Sequence, residues 1–135
     1  MNQLASNGFV SVILDVVRGV AWVARSAQRS QSVEEIASAY DEAIVALDRL
    51  ERKRLRLLID LRAAPGRNDS DFERAMATRR SELMRGFAAV AILVQTAVGE
   101  LQVARITRED GADAKVFSDK AKALQWLTAT KDSST

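Results

Sequence analysis

The sequence has no cysteine and no histidine, one proline (Pro65), and only 5% aromatic residues. Without cysteine the chain can form no disulfide and offers neither a thiol nucleophile nor a thiolate ligand. Without histidine it lacks the imidazole that most often performs acid–base work near neutral pH, and the usual zinc-binding sets are excluded. A carboxylate-only site for a hard cation stays open on composition alone. Apolar runs are short, and none approaches the roughly 20 residues that cross a bilayer as a helix. The opening MNQLASNG has no basic stretch followed by an apolar core, so no signal peptide is expected. Cytoplasmic residence is the expectation for a chain with no disulfide chemistry. Charge is nearly balanced, 20 Lys and Arg against 18 Asp and Glu for a net +2. The pI near 9.3 reflects the missing histidines rather than a strongly basic surface. Neither a nucleic-acid partner nor stable membrane insertion is expected.

What remains is the composition of a globular domain: 135 residues, 47% hydrophobic and 28% charged. That length supports one core without staples. Residues 1–8 are expected to be a flexible N-terminus, 9–129 the domain, and 130–135 a disordered polar tail. FVSVILDVV (9–17) and VAWVAR (20–25) are rich in β-branched residues and are separated by Arg18-Gly19, which predicts a hairpin. Ser32 and Glu35 form a capping-box pattern ahead of a helix with apolar positions Val33, Ile36, Tyr40, Ala43, Ile44, Leu47 and Leu50. Leu55 to Leu61 reads as a strand covered on both faces. A Pro65-Gly66 turn leads to a helix over roughly 70–85 with Phe72, Met76, Leu83 and Met84 inward and Gly86 closing it. FAAVAILV (87–94) is a second buried strand. Thr96 caps a helix carrying Val98, Leu101, Ala104 and Ile106, and AKVF is a short strand. Ser118 then caps a last helix with Ala121, Leu124 and Leu127 inward. The order ββαβαβαβα predicts a single-domain α/β fold, parallel strands joined by right-handed crossovers with an antiparallel edge.

Three stretches could carry chemistry. Asp60 ends a buried strand, the position where catalytic or metal-binding carboxylates sit in open α/β sheets. Its structural alternative is to satisfy loop amides or to pair with Arg62 or Arg67. Metal-dependent hydrolysis would require Asp15 and Asp69 to converge on it. SDFE repeats the capping-box pattern, so Ser70 is expected as an N-cap with Glu73, worth on the order of 1 kcal/mol. A phosphate on Ser70 would sit at a helix N-terminus, repelled by Asp69 and Asp71 and attracted by Arg67 and Arg74. RLERKRLR (49–56) is expected to be a solvated helix end whose cations complement the helix dipole. Trp22 is expected in hairpin packing, and Trp126 in seating the last helix on the sheet.

The order of elements, with LRLLIDLRAA feeding NDSDFERAM, resembles the STAS domain superfamily, the fold of bacterial anti-sigma-factor antagonists. In those proteins a strand ends in aspartate, and Asp-Ser-Ser/Thr-Gly-Leu opens a helix. Asp60 and Asp69-Ser70 match that pattern, although the chain continues Asp71-Phe72. The resemblance implies a candidate phosphoacceptor at Ser70, with Asp60, Arg67, Asn68, Asp69 and Asp71 shaping a loop for a partner or an anion. LLIDLRAAPGRND, FAAVAILVQT and AKVFSDKAKALQWL are similar to the small stand-alone bacterial SpoIIAA-like branch, also called STAS/SEC14-like. There the ending carries Val116, Phe117, Asp119, Ala123, Trp126 and Leu127. The implied function is a non-catalytic regulatory or protein-interaction module, with a protein partner, homodimerisation left open, and no metal or other cofactor. The alternative is a carrier of a small nucleotide or lipid, using the loop and helix start at 66–74 and an apolar pocket under the second helix.

Overall fold

The computed structural model describes residues 2–66 and 70–129. Six strands form one sheet in chain order, β1 (Asn2–Ser6), β2 (Val10–Asp15), β3 (Val20–Arg25), β4 (Arg56–Asp60), β5 (Val90–Leu93) and β6 (Lys115–Phe117). The first three are antiparallel and β3 to β6 are parallel. Helices α1 (Val33–Asp48), α2 (Ser70–Met84) and α3 (Ala97–Glu109) link successive parallel strands, and α4 (Lys120–Ala129) follows β6. Each of the first three crossovers steps to the next strand in one direction, so right-handed connections put these helices on one face. The last helix turns back to cover the other face, where Val20, Leu58, Ala91 and Leu93 meet Ala123 and Leu127.

One strand was not foreseen. Asn2–Ser6 pairs with β2 as an antiparallel edge, where the sequence suggested a flexible N-terminus. NQLAS carries almost no apolar alternation, and it is held mainly by ladder hydrogen bonds that side-chain pattern does not report. The 130–135 tail lies outside the described residues.

The expected hairpin forms across β2 and β3, with Gly19 at φ +68° in the turn. Ser32 caps α1 by accepting from Glu35 N–H at 3.1 Å. Glu35 reaches one residue further back than the capping box anticipates, accepting from Gln31 N–H at 2.7 Å. The face of α1 toward the sheet is rich in alanine (37, 39, 43 and 46), with Ile36, Tyr40 and Leu47 completing it. β4 is buried on both faces as expected: Leu57 and Ile59 point to the α1–α2 side, and Leu58 points to α4.

The expected inward face of α3 is corrected. Val98 and Leu101 are 66% and 75% exposed, whereas Ile106 turns inward as expected and Val103 and Thr107 complete that side. Apolar residues occur on two sides of this helix, so periodicity alone could not choose between them. The first residue of α4 is also shifted. Asp119 caps it, accepting from Lys122 N–H at 3.2 Å, while Ser118 donates to Glu100 at 2.8 Å. Ala121 is accordingly exposed and Ala123 fully buried.

The basic stretch 49–56 is not simply a solvated helix end. Arg52 and Arg56 are 8% and 7% exposed. The Arg52 guanidinium donates to the carbonyls of Glu82, Leu83 and Arg85 at 2.8, 3.1 and 2.7 Å, and to Asp48 at 2.9 Å. It therefore satisfies the carbonyls that the last turn of α2 leaves open, a task that no local residue performs. The Phe87 ring lies against it, 5.0 Å from centroid to guanidinium. Arg52→Met should lower stability by about 2–4 kcal/mol, because it orphans these acceptors and Asp48 together. Arg52→Lys should recover only part of that, having no planar fork to span three carbonyls. Urea unfolding measures both, and a loss under about 0.5 kcal/mol for Arg52→Met would show that the cap is dispensable.

Candidate functional site

Among the described residues of the stretch from Asp60 to Ser70, Asp60 is tied into the local structure. Asp60 is the last residue of β4, in register with Ala24 and Leu93. Its carboxylate accepts from Arg62 three times, from Nε at 3.0 Å, Nη2 at 2.8 Å and the backbone N–H at 3.1 Å. Burial by itself would raise the Asp60 pKa, but these hydrogen bonds, the Arg62 charge and Lys120 together hold it below the ordinary carboxylate value. Asp60 thus closes the loop on itself, as the structural alternative expected, with Arg62 as the partner.

Asp15, one of the two carboxylates that metal-dependent hydrolysis would bring to Asp60, does not converge on it. Asp15 opposes Val20, and Val20 opposes Arg56 at the start of β4, whereas Asp60 opposes Ala24. Four residues of β3, roughly 13 Å, separate the two ends. Asp15 is instead committed to the β2–β3 turn, accepting from Arg18 N–H at 3.1 Å and Arg18 Nη1 at 2.8 Å. Among the described residues no group of three or more acidic side chains could hold a metal ion.

Ser70 is exposed and is the first residue of α2, one position later than an N-cap. Glu73 does not act as the reciprocal partner but lies 3.4 Å from Arg80. Asp71 is taken up by Arg74 at 2.6 Å. Arg67, Asn68 and Asp69 lie outside the described residues.

A cavity of about 710 Å³ lies at the carboxyl ends of β4 and β5, beside the second helix under which the carrier reading expected an apolar pocket, and its other wall is α3. Ile59, Ile92 and Val94 of the sheet form its floor. Phe72, Met76, Leu83 and Met84 line the α2 side, and Gly99, Val103 and Ile106 the α3 side. Polar groups gather at its margins: Arg25, Arg29, Gln31 and Tyr40 from the β3–α1 region, Arg62 and Glu73 near the start of α2, and Gln95 and Gln102 toward α3. Apolar walls with a few convergent polar groups are the usual make-up of a small-molecule site. The location is also the crevice in which open α/β sheets bind ligands. The inward set on α2 was legible from periodicity, but the gap beside it was not, because it depends on how far α3 stands away.

Two solved structures share this architecture. One is an uncharacterised DUF3478-family protein with a SpoIIAA-like fold from Shewanella loihica PV-4, at TM-score 0.61 and 18% identity, covering 91% of this chain and 98% of that one. The other is an anti-sigma-factor antagonist (STAS) domain protein from Planctomyces limnophilus, at TM-score 0.57 and 21% identity, covering 90% and 99%. The protein therefore has the SpoIIAA-like fold of the STAS class. No protein-family model and no curated protein matches the chain. Among the described residues, no helix is long and apolar enough to cross a membrane.

The Asp60–Arg62 latch has a pH signature. Because the folded-state pKa of Asp60 is lowered, its stabilisation is full above the ordinary carboxylate pKa near ~4 and is lost as pH falls through the folded value. Asp60→Asn should cost about 1–2 kcal/mol at pH 7, and the gap to wild type should shrink as pH falls below the carboxylate range. Urea midpoints at pH 7 and pH 3 test this; a pH-independent gap would contradict it.

Proposed function

We propose that the protein is a non-catalytic regulatory module of STAS-like fold that holds a small molecule between α2 and α3 and answers to a protein partner through the outer surface of α2. The cavity carries this reading: it has apolar walls, lies at the carboxyl end of the parallel strands, and is bounded on one side by a helix whose outward face, with Arg74, Ala77, Thr78 and Ser81, is exposed. Occupancy would stiffen the free side of α2, and a partner docking on that helix would sense the difference. A ligand seat between the helices differs from the helix-start site at 66–74, although Gly66, Phe72 and Glu73 contribute to its margin.

Native mass spectrometry of protein purified gently from its own host tests the ligand. The expected result is a stoichiometric small-molecule adduct on wild type, lost in Ile106→Trp, where the indole fills the space while circular dichroism stays native. Bare chain mass from every preparation would overturn the reading.

A second reading is a phosphoswitch at Ser70. Its support is the exposure of Ser70 at the first turn of α2, where an added anion gains from the helix dipole, and Arg74 within the same turn. The similar Planctomyces limnophilus protein is an anti-sigma-factor antagonist (STAS) domain protein, which agrees with a partner-switching role. Intact-mass analysis across growth conditions should reveal a fraction about 80 Da heavier that maps to Ser70. A uniformly unmodified chain would remove the switch and leave the ligand-holding module standing.

A further inference from the structure

We infer that one end of the α2–α3 cavity is an anion seat, built from the Arg25 guanidinium and the Tyr40 hydroxyl, and that the ligand is an amphiphile with one anionic head and an apolar body. The inference rests on the ligand-holding reading above and specifies the chemistry of that site. Arg25 ends β3, half-buried, with its guanidinium 5.6 Å from the centroid of the Phe9 ring. Nη1 is spent on the Ser26 carbonyl at 2.7 Å and approaches Ser26 Oγ at 3.5 Å. No carboxylate among the described residues balances the rest of its fork. The contrast with its neighbours is what makes this informative. Arg62 is paired with Asp60, and Arg80 with Asp110 at 2.8 Å and Glu73 at 3.4 Å. Glu73, the one carboxylate among the described lining residues, is thereby held by Arg80.

Tyr40 supplies the second donor. Its side chain is 6% exposed and lines the cavity, and Arg25 and Arg80 are near enough to act on it electrostatically. Burial raises its pKa, with Arg25 and Arg80 pulling the other way, so the phenol stays neutral and able to donate. A guanidinium fork without a carboxylate and a phenol donor at one apolar cavity match a carboxylate or phosphate monoester, which accept several donors at once. A desolvated arginine without a counter-ion is costly in the empty protein, so an anionic head gains there what a neutral head does not. The body of the ligand would lie over Ile59, Ile92 and Val94, between Phe72 and Val103.

The test is calorimetric titration of delipidated full-length protein with dodecanoate, dodecyl phosphate and 1-dodecanol, all below micelle-forming concentrations, with acetate and inorganic phosphate as headgroup-only competitors. Both dodecyl anions should bind about tenfold or more tightly than the alcohol, and the short anions should not compete. Arg25→Met should weaken the anions about tenfold and leave the alcohol unchanged, with Arg25→Lys recovering part. Tyr40→Phe should cost a few-fold for the anions alone. Equal binding of alcohol and anions by wild type, or an equal loss of both in Arg25→Met, would overturn the anion seat while leaving a ligand-holding cavity. Inorganic phosphate competing as well as dodecyl phosphate would overturn the amphiphile. No binding by any dodecyl probe would overturn this inference together with the cavity's role.

Discussion

The position of α2 depends on the buried guanidinium of Arg52. It gathers three carbonyls from the end of α2, the Asp48 carboxylate from the end of α1, and the ring of Phe87 on the approach to β5. These segments are distant in sequence and would otherwise end in unsatisfied backbone or loose loop. Gly86, at φ +84°, lets the chain turn directly against the Arg52 side chain, where even an added Cβ would come to 3.6 Å. A second tie, Arg79 to Asp41 and the Ala37 carbonyl, fastens the middle of α2 to α1. On the α3 side Arg80 pairs with Asp110, just past the far end of α3. Thus α2 is anchored firmly toward α1 and sparsely toward α3, and the cavity occupies the sparsely tied side.

This asymmetry explains how a sheet of ordinary design leaves room for a ligand. Sequential right-handed crossovers set α1, α2 and α3 on one face. The small residues of α1 let that helix settle closely on β2 and β1, with Ala43 and Leu47 almost completely buried. α3 has no comparable stripe; its inward side is Gly99, Val103, Ile106 and Thr107, and Val98 and Leu101 face solvent. The opposite face of the sheet is sealed by α4. There Ala123 and Leu127 are fully buried and Trp126 meets Phe117 with ring centroids 5.7 Å apart.

Much of this was legible in the chain. Val116, Phe117, Asp119, Ala123, Trp126 and Leu127, noticed as a recognisable ending, are the strand, cap and inward residues of that seal, and their spacing is what a strand–cap–helix unit requires. The hairpin, the cap at Ser32 and the doubly buried β4 followed from local rules, whereas the turn after β4 falls at Arg62-Ala63, ahead of the expected Pro65-Gly66. Local rules failed where a partner far along the chain decided the outcome. Asn2–Ser6 is a strand because β2 offers it a ladder. Arg52 is buried because the end of α2 needs a donor, and nothing in RLERKRLR separates it from exposed Arg54. For the site, pattern identified Asp60 and Ser70, which prove to be a loop latch and an exposed helix start. Arg25 and Tyr40 went unremarked as a pair because their proximity is created only when α1 folds back over β3.

The central claim is that the space between α2 and α3 is a ligand site and not a packing defect. The isoleucines of this sequence divide cleanly around it: Ile59, Ile92 and Ile106 line the cavity, whereas Ile13, Ile36 and Ile44 do not. Methyl NMR of isoleucine-labelled protein titrated with dodecanoate therefore reads occupancy residue by residue. Saturable shifts confined to the first three methyls are the predicted result. Shifts concentrated at Ile13, Ile36 or Ile44, or no saturable shift at any of the six, would contradict it.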